Sequence, residues 1–210
     1  MGLIVREHFN EDVEFGIWEI TEDYDTLRSQ LTLDEKDIET VESFKNHQRK
    51  LEWLSVRTLL KNMLGKDGKI VYGPERKPYL HNNSYNISIS HSKSFTAILM
   101  SKKKRVGLDL EYMANKILRI ADKFLRPEEL DHINKDLELY HLYLHWCAKE
   151  ALYKICDKVD INFVTNLSIE PFKPKDKGII TGTVNNSYMN EKFSLNYFTI
   201  KNYSIVWCYK

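Results

Sequence analysis

Between Val106 and Tyr112 the chain reads VGLDLEY, apolar residues alternating with glycine and carboxylates. That period of two constrains the stretch to a β-strand. Val106, Leu108 and Leu110 share one face. Gly107, Asp109 and Glu111 share the other, with the two carboxylates about 7 Å apart at their Cα atoms. Further on, Trp146 to Lys154 reads WCAKEALYK. Here Trp146, Glu150 and Lys154 recur at steps of four, so a helix stacks them on one side. Three carboxylates and a lysine facing one another suit Mg²⁺ carrying a pyrophosphate, because that ion takes one or two carboxylates plus substrate oxygens and keeps the rest as water. Each stretch alone has a plainer reading. An Asp-x-Glu strand is commonly a solvated outer face, and Glu four residues before Lys is commonly a surface pair worth a few tenths of a kcal/mol. Their co-occurrence favours a site.

Composition narrows the class. With 210 residues the chain can form one domain or two small lobes and still bury a sizeable core. An apolar share of 42% argues for a globular chain, and a net charge of +1 argues against general nucleic-acid binding. The three cysteines, Cys147, Cys156 and Cys208, form no Cys-x-x-Cys, which points to free thiols and a cytoplasmic location. The start, MGLIVREHF, is too short in apolar run for a secretory signal, and Arg6 stands where a myristoylation signal needs Ser or Thr. No stretch has the length and apolarity to span a membrane.

Along the chain, Phe15 to Ile20 reads as a first strand. Thr32 to Glu35 has the form of a capping box with Thr32 as N-cap. A helical pattern then runs through Phe44, Leu51, Leu54, Leu59 and Met63 to Gly65, long enough for two helices. Gly73-Pro74 marks a loop, and Tyr85–Ser90 with Phe95–Met100 reads as a hairpin. After a basic bend at Lys102 to Arg105 comes the carboxylate strand. Pro127 suits a first helical turn. A long helix follows from Leu137 to Ile155, ending near Asp157, and a second hairpin joins Phe193–Ile200 to Tyr203–Tyr209. The order strand, helices, hairpin occurs twice. The expected fold is α+β, with two similar lobes (1–104 and 105–210), each a small, mostly antiparallel sheet packed on helices, and a ligand cleft between them.

Other stretches bear on function. YNISISHS (Tyr85 to Ser92) brings Ser90 and His91 to a strand end, where such groups can donate to phosphate; the alternative is a polar turn. Arg76-Lys77-Pro78 is a short cationic loop. From Arg49 to Arg57 a basic helix places Lys50, Arg57 and Lys61 nearly in line and Arg49 about 100° away; the alternative is a solvated amphipathic face. His141 and His145 are four apart, but Leu142 stands where a zincin helix needs Glu, so they read as surface or packing histidines.

Taken together, VGLDLE, WCAKEALYK, the Ser-His-Ser tip, the Lys-Pro loop and the Arg-rich helix resemble the 4'-phosphopantetheinyl transferases, in particular their two-lobed surfactin type. That resemblance implies transfer of the phosphopantetheine arm of coenzyme A to a serine of an acyl or peptidyl carrier protein, with 3',5'-ADP released. It implies Mg²⁺ on Asp109, Glu111 and Glu150. Asp109, Glu150 and Lys154 would be catalytic, with Glu150 the base. Coenzyme A would be held by Arg49 on the 3'-phosphate, by Lys77, Ser90 and His91, and by Lys149 and Lys154. Arg76 replaces the family's usual glycine before Lys77. The two-lobed type implies a monomer that meets carrier protein and coenzyme A, and neither nucleic acid nor membrane. Two rivals share parts of the pattern: a Mg²⁺-dependent pyrophosphohydrolase, and a non-catalytic module that grips carrier domains.

Overall fold

The computed structural model describes residues 2–9, 11–73, 76–156 and 161–210. The expected loop at Gly73-Pro74 falls partly, and the helix end near Asp157 wholly, outside them. The chain divides into two compact units, Met1–Lys104 and Arg105–Lys210.

The first unit begins with β1 (Leu3–His8) and β2 (Val13–Glu19), then α1 (Tyr24–Ser29), α2 (Glu35–Ser43) and α3 (His47–Leu64). Four strands follow: β3 (Ile70–Tyr72), β4 (Pro78–Leu80), β5 (Asn86–Ser92) and β6 (Phe95–Ser101). The long helical pattern is therefore two helices. Asn46 separates them, its side chain accepting from Gln48 N at 2.8 Å, which satisfies a free N–H of the first turn of α3. Gly65, at φ 71, ends α3 in the left-handed conformation that glycine adopts without a Cβ penalty. The capping residue of α2 is Asp34, which accepts from Asp37 N at 2.9 Å, and not Thr32. Thr32 lies too far upstream of the first turn at Glu35 to reach its free donors.

The second unit opens with β7 (Val106–Tyr112) and passes through short 3₁₀ turns to α4 (Pro127–Asp131) and α5 (Glu138–Ile155). It ends in β8 (Leu167–Ile169), β9 (Lys177–Asn185), β10 (Asn190–Ile200) and β11 (Tyr203–Tyr209). Pro127 opens α4 as expected, and Glu129 folds back to accept from Arg126 N at 2.8 Å.

Both sheets are wholly antiparallel in their described pairings. Their orders are β1-β2-β6-β5-β4-β3 and β7-β11-β10-β9-β8. Matching β2 to β7, β3 to β8, β4 to β9, β5 to β10 and β6 to β11 superposes the two orders, with β1 an added edge. In each unit the first strand of the shared set pairs with the last, and the long helix (α3 or α5) lies between them in sequence. The duplication is thus one of topology.

Each helix seals its own sheet. Trp53, Leu54, Val56, Leu59, Leu60 and Met63 of α3 are buried with Ile87, Ile98 and Met100; each full Leu burial contributes about 2 kcal/mol. Leu144, Ala148, Ala151, Leu152 and Ile155 of α5 are buried with Ile180, Leu195 and Val206.

His141 and His145 are packing residues of α5. Asn134 N donates to His141 Nδ1 at 3.0 Å, and His145 Nδ1–H donates to His141 O at 2.9 Å. Phe172 lies against both rings. Burial pushes both imidazoles down to about 4; the adjacent His145 ring would oppose a charge on His141, and Lys149 opposes one on His145. Both are neutral when folded. Below about pH 6.5 the unfolded chain binds protons that the folded chain does not. Stability should be complete above that pH and fall as pH drops through about 4, by roughly 2–3 kcal/mol per histidine. Urea unfolding of wild type and the His141→Gln/His145→Gln double variant from pH 7 to 4 checks this. Equal slopes for the two proteins would refute it.

Candidate functional site

In β7 the glycine has a packing reason. A Cβ at Gly107 would collide with Ala151 O and reach Ile155 Cβ at 3.0 Å, so α5 crosses this face of the strand in backbone contact. The same face carries Asp109 and Glu111, by the alternation of the strand. Asp109 is only 4% exposed. That rules out the solvated outer face as the plain reading of Asp-x-Glu, because a carboxylate is buried only when its charge is met. Val106, Leu108 and Leu110 on the other face are buried too.

α5 is buried around most of its circumference, with Trp146, Glu150, Tyr153 and Lys154 forming its partly exposed stripe. Lys154 Nζ donates to Asp109 Oδ1 at 2.8 Å, so the lysine pairs across to the strand. Burial favours the neutral amine, but Asp109 and Glu150 outweigh it and hold the ammonium above its usual range. Glu150 is pushed up to about 7, by burial first and then by Asp109 and Glu111, against the pull of Lys154. A carboxyl at that value is half ionised at neutral pH, the range that suits a general base. Trp146 packs edge-on to Phe124 at 5.1 Å and against Phe163 at 5.7 Å, anchoring the helix.

Beneath the carboxylates lie groups that sequence reasoning missed. Cys147 is fully buried; burial pushes its thiol well up, with Asp109 and Glu111 adding to the effect, so it stays protonated. Its Sγ–H donates to Ser204 O at 3.8 Å. Ser204 stands directly opposite Glu111 in the β7–β11 register, and its Oγ is buried without a partner. Cys147 comes with the WCAKEALYK helix, whereas no local pattern marks Ser204, which only the register of β11 brings here.

The donor set has the chemistry of a hard-cation site, all oxygen, with one carboxyl forced up by burial and by its like-charged neighbours. Among the described residues no three His, Cys, Asp or Glu side chains converge into a ready metal-binding group.

Lys149 requires a correction. It was expected on a phosphate, but its ammonium is fully buried and donates to Phe124 O at 2.7 Å, Glu129 Oε2 at 2.6 Å and Phe163 O at 3.0 Å. An ammonium has three donors, and all three are used. Lys149 ties α5 to α4 and to the segment before β8; it is not a coenzyme ligand. Its position about 100° round the helix from Glu150 turns it into the interior.

In the first unit, α3 and β5 bring Arg49 and His91 together. Arg49 Nη1 hydrogen-bonds His91 Nε2, and both meet Glu52 Oε2, at 3.3 Å from Arg49 Nη1 and 3.2 Å from His91 Nδ1. Ser90 lies on the opposite face of β5, as strand alternation demands, and is buried there. The hydroxyl and the imidazole therefore do not form one tip. Lys77 is half-buried, and its carbonyl accepts from Gly73 N at 3.0 Å. Arg76 holds φ 59, a left-handed conformation that costs a non-glycine residue strain. Arg57 is structural: it is buried, with its guanidinium 3.2 Å from the centroid of the Trp53 ring.

An α+β unit with an acidic strand and an acidic, lysine-bearing helix is the class the geometry defines. Residues 105–208, just under half of the chain, match the family model of the 4'-phosphopantetheinyl transferase superfamily, which supports that superfamily for the second unit. Asp109, Glu111, Glu150 and Lys154 all lie inside the matched segment; Arg49, Lys77, Ser90 and His91 lie outside it. No curated protein matches the chain. No helix among the described residues is long and apolar enough to cross a membrane.

Proposed function

We propose that this chain is a 4'-phosphopantetheinyl transferase of the surfactin type, moving the phosphopantetheine arm of coenzyme A to a serine of an acyl or peptidyl carrier protein. One observation carries the reading. A buried Asp109 is paired with Lys154 beside a Glu150 held up to about 7, and all three lie within residues 105–208, the segment that matches the superfamily. The carrier serine attacks the phosphorus attached to pantetheine, its proton passes to Glu150, and 3',5'-ADP leaves. Lys154 offsets the negative charge that builds on the phosphate oxygens as the bond breaks. Mg²⁺ on Asp109, Glu111 and Glu150 would supply further charge neutralisation at the pyrophosphate. Arg49, Lys77, Ser90 and His91 are proposed as coenzyme contacts on the family resemblance. The protein is proposed to act as a cytoplasmic monomer.

The test is intact-mass measurement of several apo-carriers after incubation with the protein, coenzyme A and Mg²⁺. One carrier should gain the mass of the arm, with an equal amount of 3',5'-ADP formed, and excess chelator should abolish the gain. Cleavage of coenzyme A without any mass gain would point instead to a pyrophosphohydrolase. Full transfer in chelator would remove the cation from the mechanism.

A further inference from the structure

Ser204 is a fully buried hydroxyl on an otherwise apolar face. By strand alternation it shares that face of β11 with Val206 and Cys208, both buried in one cluster with α5. No protein group bonds its Oγ. A buried hydroxyl without a partner destabilises a fold, and alanine in its place would remove that cost and keep the packing. Such a group calls for a partner outside the resting arrangement.

In register, Ser204 stands between Glu111 of β7 and Thr199 of β10, and its carbonyl accepts from Cys147 Sγ–H at 3.8 Å. Directly opposed side chains of an antiparallel pair have Cβ atoms about 4.5–5.5 Å apart, a gap that a glutamate can bend across to reach a serine hydroxyl. Of these neighbours only Glu111 carries a carboxylate, the strongest acceptor for a hydroxyl proton.

The backbone just beyond Glu111 is clamped from two elements. Met113 N donates to Asn202 O at 2.9 Å, and Asn202 Nδ2 donates to Met113 O at 2.9 Å. The hydroxyl of the buried Tyr143, on α5, accepts from Ala114 N at 3.1 Å and donates to Ala114 O at 3.2 Å. Asp109 is likewise held, by Lys154 at 2.8 Å. Since the three carboxylates do not converge in this arrangement, sharing an ion requires a side chain to rotate. Glu111, half-buried near the end of β7, has the longer of the two acidic side chains on that strand.

We propose that Ser204 is a positioning residue: its hydroxyl donates to one oxygen of Glu111 and holds that carboxylate turned, which leaves the other oxygen for a divalent cation. This rests on the proposed function, in which Asp109, Glu111 and Glu150 share the cation. Removing a hydrogen-bond partner of a metal-holding carboxylate weakens the metal by about 10- to 100-fold. The signature is a pair of effects of opposite sign, because Ser204→Ala makes the protein more stable and its hold on the cation weaker.

The experiment counts free Mn²⁺ by electron paramagnetic resonance in wild type, Ser204→Ala, Glu111→Ala and the double variant, each with one equivalent of coenzyme A. Melting curves are recorded on the same proteins without metal or coenzyme. Ser204→Ala should raise Tm by a few degrees and weaken Mn²⁺ by about tenfold. In the Glu111→Ala background the serine substitution should weaken Mn²⁺ little further, since the hydroxyl acts through that carboxylate. A lower Tm in Ser204→Ala, or a failure to fold, means that the hydroxyl serves the fold, and it overturns the inference. Unchanged Mn²⁺ affinity, or an equal loss in the Glu111→Ala background, overturns it as well while the functional reading stands. Wild type that binds no Mn²⁺ beside coenzyme A overturns the cation reading itself, and the inference with it.

Discussion

Asp109→Ala is expected to lower phosphopantetheine transfer by about 10²- to 10³-fold or more, with the chain still folded. Two consequences of the substitution act together. Lys154 loses the oxygen it bonds at 2.8 Å, so its ammonium is no longer held at the strand. Glu150 loses a like-charged neighbour that helps to raise it, and its carboxyl should fall below about 7, away from the range of an effective base. The fold should survive because the side chain removed belongs to the polar face of β7, while Leu108 and Leu110 keep the apolar one. Transfer followed by mass, with circular dichroism and a melting curve on the same sample, separates the two effects. Asp109→Asn, which keeps the shape and loses the charge, should be nearly as inactive. Transfer at the wild-type rate in either variant would remove this site from the chemistry.

The second large effect is on stability. Lys149→Met is expected to destabilise the second unit by about 3–5 kcal/mol, because it leaves Glu129 buried with its charge unmet. Glu129 is 5% exposed and accepts from Arg126 N, Ile169 N and Lys149 Nζ. Removing the ammonium also strands the carbonyls of Phe124 and Phe163. Adding Glu129→Gln to Lys149→Met should return part of the loss, since an amide needs no counter-charge. Coenzyme A affinity of the folded fraction should stay near wild type. Urea unfolding with coenzyme titration tests both halves. A stable Lys149→Met that binds coenzyme A tenfold more weakly would restore the phosphate role that the buried contacts exclude.

Local patterns made much of the architecture readable. The alternation from Val106 to Tyr112, the long helix to Ile155, Gly65 at a helix end and Pro127 at a helix start each depend on a few neighbouring residues, and each stands in the structure as read. Five strands carry weaker signals. β1 is a largely exposed edge strand, β3, β4 and β8 have three residues each, and β9 includes Gly178 and Gly182, which punctuate a sequence and weaken strand propensity. Asp34 displaced Thr32 as cap because cap geometry is set by where the first turn closes.

By itself, then, the sequence determined the periodicities, the duplicated order of elements, and which side of β7 and which stripe of α5 carry charge. Those follow from backbone geometry, where 2.0 or 3.6 residues per repeat decide the facing of a side chain with no reference to the rest of the chain. Tertiary structure alone decided what each charge meets. Lys149 and Lys154 are both lysines of one helix, yet one is sunk among three acceptors and the other reaches Asp109. Ser204 enters the picture only through β11. Burial and electrostatic pairing depend on partners distant in sequence, and only the packed chain brings those within reach.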